Sequence, residues 1–165
     1  MLVYHPVSTF DRRCSTVPVV VTGIVPFILS LYDPYKGQGN LSGLVILAIG
    51  LAILLWCVRD FYVSGKGTLA PWDPPKHLVT VGLYRYVRNP MYVGVFFILL
   101  GWAISTASPL ISGFTIFLFI AFYFRVKTHE EPWAEEMFGT EWEKYRNNVP
   151  RWLPQTKGYY PTNNL

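Results

Sequence analysis

The sequence has little charge, and it lacks the residue clusters that usually hold metal ions. Only 15% of its 165 residues are Asp, Glu, Lys or Arg, whereas soluble domains carry about 25%. Its three histidines and two cysteines show no metal-ligand spacing, so we predict no metal site. Cys14 and Cys57 are predicted to be unpaired thiols in a reducing environment. These features argue against an ordinary soluble domain, a zinc-stabilised fold and a disulfide-bonded secreted domain.

The first apolar stretch also lacks the features of a secretory signal peptide. Arg12 and Arg13 precede it, as they would in a signal peptide, but Pro18 and Pro26 interrupt it. No cleavage site of the small-x-small type follows. We therefore expect a membrane helix at this position.

Hydrophobic residues, which make up 52% of the chain, are concentrated in four long runs. Each run is about 16 to 18 residues long, close to the length of about 20 residues that crosses a bilayer. We predict an all-α, polytopic membrane protein that forms a single domain over residues 1–165. Its four transmembrane helices cover 17–32, 41–58, 90–107 and 109–126, with a cytoplasmic loop over 59–89 and a cytoplasmic tail over 127–165 that contains short amphipathic helices.

The positive charges predict the orientation of these helices. Of the 14 Lys and Arg residues, only Lys36 falls in the link between the first and second runs. The other thirteen precede the first run, separate the second from the third, or follow the fourth. Because basic residues near helix ends remain in the cytoplasm, both termini are predicted to be cytoplasmic. This topology, together with anionic lipid headgroups, explains the net charge of +4, and we predict membrane lipids and no nucleic acid as partners.

Local residue patterns predict where loops and helices begin and end in the two polar segments. Gly and Pro residues predict an ordered loop over Gly65–Pro75. Asn89-Pro90 predicts the start of the third helix, with Asn89 as its N-cap. Glu130-Glu131-Pro132 predicts the end of the fourth helix or of its extension. Thr140, with Glu143 three residues later, predicts a capping box that opens a short helix to about Asn147.

Two charged groups suggest a site for a zwitterionic ligand. Arg85 and Arg88 stand just before a helix N-terminus, where a carboxylate or phosphate is favoured. Glu130 and Glu131 follow the fourth helix and suit a cation. S-adenosylmethionine carries a carboxylate at one end and an ammonium and a sulfonium beside it, so it fits both groups. The alternatives are arginines that only reach lipid headgroups and simple salt bridges to the glutamates.

The segment from Gly82 to Gly94 resembles the isoprenylcysteine carboxyl methyltransferase and phospholipid methyltransferase superfamily of membrane enzymes. Members share a G-x-Y-x-x-x-R-[HN]-P-x-Y-x-G segment, a helical hairpin and a Glu-Glu pair. A phenylalanine-glycine, a tyrosine and a late valine-proline-arginine follow, here Phe138-Gly139, Tyr145 and Val149-Pro150-Arg151. The resemblance covers roughly Gly65 to Pro154. It implies S-adenosylmethionine as the methyl donor and a donor site formed by Gly82, Tyr84, Arg88, Asn89, Pro90, Tyr92, Gly94, Glu130 and Glu131.

The resemblance also implies roles on the acceptor side and one departure. Arg151 and Glu131 are predicted to be catalytic, with Arg151 orienting the acceptor and Arg85 and Tyr145 assisting in its binding. The acceptor is expected to be lipid-like or prenylated. Asn89 stands where many relatives have histidine, and asparagine carries no charge, so no acid-base role is expected there. We expect protein-S-isoprenylcysteine carboxyl O-methylation. The alternatives are N-methylation of a phospholipid amine, a sterol or steroid reductase using a nicotinamide cofactor, and a non-enzymatic membrane scaffold.

Overall fold

The computed structural model describes residues 20–65 and 77–161, and these residues are helical or irregular, with no strand. This confirms the all-α class. The predictions for Cys14, for the start of the first helix at 17–19 and for most of the Gly65–Pro75 loop lie outside the described residues. The helices are a π-helical turn at Val20–Ile24 that leads into α1 (Val25–Tyr32), α2 (Ser42–Gly65), a 3₁₀ turn (Gly82–Arg85), α3 (Pro90–Thr106), α4 (Pro109–Arg125), a second π-helical turn (Val126–Glu130), α5 (Glu131–Phe138) and α6 (Thr140–Asn148).

All four predicted apolar segments form helices, and two of these are long and apolar enough to cross a membrane. These two are Ser42–Phe61 and the continuous helical path Pro109–Phe138. Val20–Tyr32 and Pro90–Thr106 are apolar but shorter. Large hydrophobic side chains on the outer faces of α2 and α4 are exposed, among them Leu44, Val45, Ile116 and Phe117. Exposed apolar faces of this kind are expected where a helix contacts lipid.

The second helix is longer than its apolar run predicts. It ends at Gly65 instead of Val58, so Arg59 and Asp60 lie in the helix and not in the loop. Residues 59–64 contain no glycine or proline, and nothing in them stops helical hydrogen bonding once it has begun. The predicted loop boundary at residue 59 is therefore wrong.

The acidic pair does not end the fourth helix. The π-helical turn Val126–Glu130 joins α4 to α5 directly, and the helical path continues to Phe138. Pro132 lies in the first turn of α5, where its missing amide needs no helical partner. The prediction of a helix end at Glu130-Glu131-Pro132 is thus wrong, and the wider turn places both acids along one helical path.

Helices α2 and α3 pack with their backbones in contact through four glycines. Gly43 lies opposite Gly101, and Gly50 lies opposite Gly94. A Cβ atom added at Gly101 would lie 2.6 Å from the Leu47 Cβ and 2.7 Å from the Gly43 carbonyl oxygen. Small residues at such crossings let helices approach closely when lipid supplies no hydrophobic driving force between them. This contact fixes α3, and hence the segment that precedes it, against α2.

The opposite end of the helical hairpin is held by a buried acid. Asp33 accepts hydrogen bonds from the Ser108 hydroxyl and from the Leu110 amide. Ser108 is the N-cap of α4, and its hydroxyl oxygen accepts from the Ile111 amide at 3.2 Å. The tight connection between α3 and α4 is thereby fixed to the end of α1, far along the chain from the charged segments.

Candidate functional site

A cavity of about 400 Å³ opens where the segment before α3 meets the acidic end of α4. This volume lies within the range of pockets that hold small ligands. Most of the wall is apolar, and helices α2 to α6 all contribute to it. The described residues that line the cavity are Val21, Leu54, Phe61, His77, Leu78, Val79, Tyr84, Arg88, Asn89, Met91, Tyr92, Val95, Phe122, Arg125, Val126, Glu130, Glu131, Trp133, Ala134, Phe138, Trp142 and Tyr145.

Glu131 is the centre of the charged part of this site. Its Oε1 accepts from Arg88 Nη1 at 2.9 Å and from Arg151 Nε at 2.7 Å. Its Oε2 accepts from Arg151 Nη2 at 2.6 Å, which makes the Arg151 contact bidentate. The side chains of Arg88 and Glu131 are only 9% and 11% exposed. One carboxylate therefore faces two guanidinium groups, and the cluster carries one positive charge in excess.

Burial and pairing act on the two arginines in opposite directions. Desolvation lowers the pKa of Arg88, and the neighbouring Glu131 carboxylate partly offsets this. The hydrogen bonds from Arg151 to Glu131 raise the pKa of Arg151. Both guanidinium groups stay protonated at physiological pH because the arginine side chain does not lose its proton in proteins. The excess positive charge of the cluster is consequently permanent.

Glu130, the other member of the acidic pair, has a different set of partners. It accepts from Arg125 Nε at 2.9 Å and from the Tyr92 hydroxyl. The side chains of Arg125 and Glu130 are about one-third exposed, so this pair is wetter than the cluster around Glu131. Adjacent carboxylates, one at the end of the π-helical turn and one at the start of α5, thus face two separate environments.

Helix α6 and the residues that follow it hold the segment before α3 through hydrogen bonds to backbone carbonyl groups. The Arg88 amide donates to the Pro150 carbonyl at 2.9 Å, and the Tyr145 hydroxyl donates to the Tyr84 carbonyl at 2.7 Å. Burial raises the pKa of Tyr145, which keeps that hydroxyl a donor. The side chain of Asn89 makes no capping bond and instead donates to the Arg151 carbonyl at 3.2 Å. Asn89 occupies the N-cap position, but the predicted capping hydrogen bond is absent because the side chain is turned towards the tail, where its Nδ2 donates to Arg151.

The capping-box prediction is also wrong in detail. Helix α6 begins at Thr140, and Gly139, with φ of +50°, stands at its N-cap without a side-chain hydrogen bond. Glycine adopts this left-handed backbone without steric cost, so the chain turns sharply between α5 and α6 at Gly139. The predicted short helix itself is confirmed.

The cavity includes seven of the twelve residues that the sequence assigns to the site. These are Tyr84, Arg88, Asn89, Tyr92, Glu130, Glu131 and Tyr145. The other five are not among its described lining residues, and each has a different neighbour. Gly94 contacts Gly50 of α2, and Gly82, with φ of +55°, lies against the Asp60 carboxylate. Arg85 stacks on the Tyr160 ring at 4.6 Å, Arg151 lies behind Glu131, and Pro90 is buried at the start of α3.

Several cavity residues were not assigned to the site from the sequence. Trp133 and Phe138 come from α5, and Trp142 comes from α6. The spacing of Trp142 and Tyr145 is the signal that was available, because residues at i and i+3 share one face of a helix. Among the described residues no group of three or more His, Cys, Asp or Glu is arranged to hold a metal ion.

The described residues form an all-helical protein with two helices long and apolar enough to cross a membrane and a mostly apolar cavity that contains several charged side chains. The family described as phospholipid methyltransferase matches residues 40–141, and the chain belongs to this family. No solved structure gave a significant match.

Curated relatives share the name of one activity. The chain is 41% identical over 136 residues to a protein-S-isoprenylcysteine O-methyltransferase of Schizosaccharomyces pombe, a match covering 79% of this chain and 53% of the relative. It is 38% identical over 82 residues to the Homo sapiens protein of that name, covering 49% of this chain and 28% of the relative. A probable protein-S-isoprenylcysteine O-methyltransferase of Oryza sativa subsp. indica is 35% identical over 114 residues, covering 68% and 59%. The chain thus spans between 28% and 59% of the length of these relatives.

Proposed function

We propose that this protein transfers a methyl group from S-adenosylmethionine to the carboxylate of a prenylated cysteine at the cytoplasmic face of a membrane. The observation that carries the proposal is the contact between Arg88 and Glu131, which stand 43 residues apart in sequence and meet in one cavity. Family membership supports the reaction class, and the names of the relatives support the acceptor.

The chemistry of the lining residues fits a zwitterionic methyl donor. The Arg88–Glu131–Arg151 cluster has an excess positive charge that suits a carboxylate. The less buried Glu130 carboxylate also lines the cavity, next to Glu131 in the chain, and suits an ammonium or sulfonium. S-adenosylmethionine, when bound, supplies a methyl group on a sulfonium that departs as a neutral thioether. In this proposal Tyr84, Arg88, Asn89, Tyr92, Glu130 and Glu131 contact the donor, while Gly82, Pro90 and Gly94 shape the backbone around it.

The chain's own residues would act by positioning and by excluding water. Apolar side chains such as Met91, Val95 and Phe122 line the cavity and remove water from a reaction in which a negative and a positive charge are neutralised. Glu131 holds Arg88 and Arg151 in one geometry, and alignment of this kind can contribute a large part of a rate enhancement. A carboxylate acceptor releases no proton. Both glutamates are already hydrogen-bonded to cationic partners, so a reaction that needs no base suits this site.

A second acceptor, the amine of a phospholipid, is favoured by the description of the matching family. Amine methylation releases a proton, and a base must receive it. His77 lies in the cavity wall and is exposed to solvent, so it is the described residue suited to that task. The two acceptors therefore differ in their dependence on His77.

The proposal places four helices across the bilayer with both termini in the cytoplasm. Two helices meet the length for a span, and α3 is packed along α2 by its glycines. In the sequence, thirteen of the 14 basic residues lie outside the link between the first two helices, and the positive-inside rule assigns the opposite end of the helices, where the cavity lies, to the cytoplasm.

The acceptor is identified by following a labelled methyl group. Purified protein is incubated with methyl-tritiated S-adenosylmethionine and either N-acetyl-S-farnesylcysteine or phosphatidylethanolamine vesicles. We expect base-labile methyl ester in the farnesylcysteine sample and no label in the lipid, with the same rate in a His77→Ala variant. Label in the lipid that is lost in His77→Ala would select the second function, and label in neither would reject both.

Replacing Arg151 with lysine tests the bidentate contact. Lysine keeps the charge but cannot make two parallel hydrogen bonds to Glu131. We expect kcat to fall about tenfold, corresponding to the loss of one charge-assisted hydrogen bond, with a smaller change in donor affinity. The measurement is a comparison of kcat, acceptor KM and donor Kd with the wild-type protein. Arg146→Lys, at an exposed pair with Glu135, is the matched control and should behave as wild type. An unchanged kcat in Arg151→Lys would remove this residue from the reaction.

A further inference from the structure

Two buried hydrogen-bond donors in the cavity wall have no partner. The Nε of Arg88 and the Nε1 of Trp142 are both solvent-inaccessible and make no hydrogen bond to any residue in 20–65 or 77–161. Both residues line the cavity. A buried donor without a partner costs about 1–3 kcal/mol, and more for a charged group. Such groups are rare in native structures and call for a missing acceptor, which the two side chains would meet by turning towards the cavity when a ligand enters.

The two donors belong to side chains in contact. The Arg88 guanidinium carbon lies 5.7 Å from the centre of the Trp142 ring, and both side chains line the cavity. An indole N–H and a guanidinium are both hydrogen-bond donors, and neither can accept a hydrogen bond. A single partner for both donors would be an acceptor with more than one lone pair.

Charge selects a carboxylate as this acceptor. The Nη1 of Arg88 is occupied by Glu131, which also pairs with Arg151. The cluster keeps one positive charge in excess, and this charge is desolvated on the Arg88 side, where the side chain is 9% exposed. A negatively charged oxygen pair would satisfy both free donors and neutralise that charge.

We propose that Arg88 Nε and Trp142 Nε1 form a two-donor site for the carboxylate of the methyl donor, so that Trp142 is a donor-binding residue. This inference rests on the proposed function and identifies the atoms that would grip the amino-acid end. The carboxylate of a prenylcysteine has the same chemistry, but hydrogen bonds from two donors would stabilise it and weaken it as a nucleophile. The methyl donor's carboxylate does not react, so tight pairing costs the reaction nothing.

Trp152 provides a matched control. Its Nε1 is also buried and without a partner, but Trp152 is not among the described lining residues of the cavity. Its ring contacts Tyr92, Phe96 and Phe119 instead. Replacing either tryptophan with phenylalanine removes an indole N–H and keeps an aromatic ring, but only Trp142→Phe should affect ligand binding.

The test compares two ligands that differ only in the carboxylate. Binding of S-adenosylhomocysteine, and of its analogue in which the amino-acid carboxylate is replaced by hydrogen, is measured by calorimetry on the full chain in detergent. We expect Trp142→Phe to weaken S-adenosylhomocysteine about tenfold or more, as for a hydrogen bond to a charged group. The analogue should bind Trp142→Phe and wild type equally, which also reports that the variant is folded. Trp152→Phe should match wild type with both ligands.

Other outcomes would overturn the inference in distinguishable ways. Equal weakening of both ligands would mean that Trp142 only packs against the site. Unchanged affinity for S-adenosylhomocysteine would assign the indole N–H to a water molecule. Weaker binding of N-acetyl-S-farnesylcysteine alone would move the carboxylate site to the acceptor. Wild-type protein that binds neither nucleoside would reject the proposed function itself.

Spectra of the wild-type protein decide the case if Trp142→Phe does not fold. The chain has six tryptophans, so ¹⁵N-indole labelling gives a small set of N–H signals. One indole proton should move downfield on addition of S-adenosylhomocysteine and remain in place with the analogue, because a carboxylate acceptor deshields the proton it receives. A spectrum without any carboxylate-dependent indole shift would contradict the inference.

Discussion

Replacing Glu131 with glutamine is expected to destabilise the protein and abolish donor binding together. The carboxylate is the shared partner of Arg88 and Arg151, and its side chain is 11% exposed. Removing one member of a buried charge cluster leaves the others without compensation, at a cost of about 3–5 kcal/mol. Glutamine keeps the shape and one acceptor oxygen, so we expect the lower end, about 3 kcal/mol. For a chain of this length, such a loss lowers the melting temperature by about 10 °C.

Glu135→Gln is the matched control for Glu131→Gln. Glu135 lies one turn further along α5 and pairs with Arg146, where both side chains are largely exposed, at 57% and 40%. Exposed pairs contribute between zero and about 1 kcal/mol. Thermal unfolding in detergent and calorimetric titration with S-adenosylhomocysteine should therefore leave Glu135→Gln close to wild type. If Glu131→Gln matches Glu135→Gln in both measurements, Glu131 is not the centre of the site.

Adding a single methyl group at Gly101 is expected to have the largest effect on folding. The new Cβ of Gly101→Ala would meet the Gly43 carbonyl oxygen at 2.7 Å and the Leu47 Cβ at 2.6 Å. The Gly43 carbonyl oxygen and the Leu47 amide nitrogen, which is also close to the new Cβ, are backbone atoms and cannot rotate away. Helices α2 and α3 must therefore separate. Overpacking of this kind costs about 1–3 kcal/mol and occasionally more, and here we expect at least 3 kcal/mol. Because α3 carries the donor-binding segment at its start, donor binding should be lost as well.

Gly113→Ala distinguishes this clash from a general effect of glycine replacement. Gly113 lies in α4, and an added Cβ would have no atom within 4 Å among the described residues. Alanine is the better helix former by about 1 kcal/mol, so Gly113→Ala should be as stable as wild type or more so. Monodisperse yield and the melting temperature in detergent report the difference. Equal yields and melting temperatures for the two variants would contradict the close packing of α2 against α3.

The sequence predicts the helices of this protein well because long apolar runs have few alternatives to helix in a membrane. It also predicts that the segment before α3 and the acids after α4 meet, since a helical hairpin must return the chain to the same side. Arg88 and Glu131 are in contact, as that reasoning requires. The salt bridges that were considered as an alternative are formed too, by Arg88 with Glu131 and by Arg125 with Glu130. The residues that form these salt bridges also belong to the cavity of the proposed site.

Other features depend on which side chain wins a hydrogen bond, and the sequence does not settle that. Asparagine is a common helix N-cap, but the side-chain amide of Asn89 donates to the carbonyl of Arg151, 62 residues later. Proline is a residue type that often ends a helix, but Pro132 follows the π-helical turn and lies in the first turn of α5. Gly94 belongs to the motif read as donor-binding, yet its nearest atoms belong to α2. The seven-residue spacing of Gly43 and Gly50, repeated by Gly94 and Gly101, was a visible sign of that packing.

The most direct test of the proposed function is calorimetric titration of the purified full chain with S-adenosylhomocysteine, in wild type and in Arg88→Ala. We predict one binding site per chain in wild type and affinity reduced at least a hundredfold in Arg88→Ala, since this change removes a buried charge-assisted contact. The melting temperature of each sample verifies that the protein is folded. A folded wild-type protein that releases no heat of binding, or an Arg88→Ala variant with wild-type affinity, would contradict a methyl donor held between Arg88 and the acidic pair.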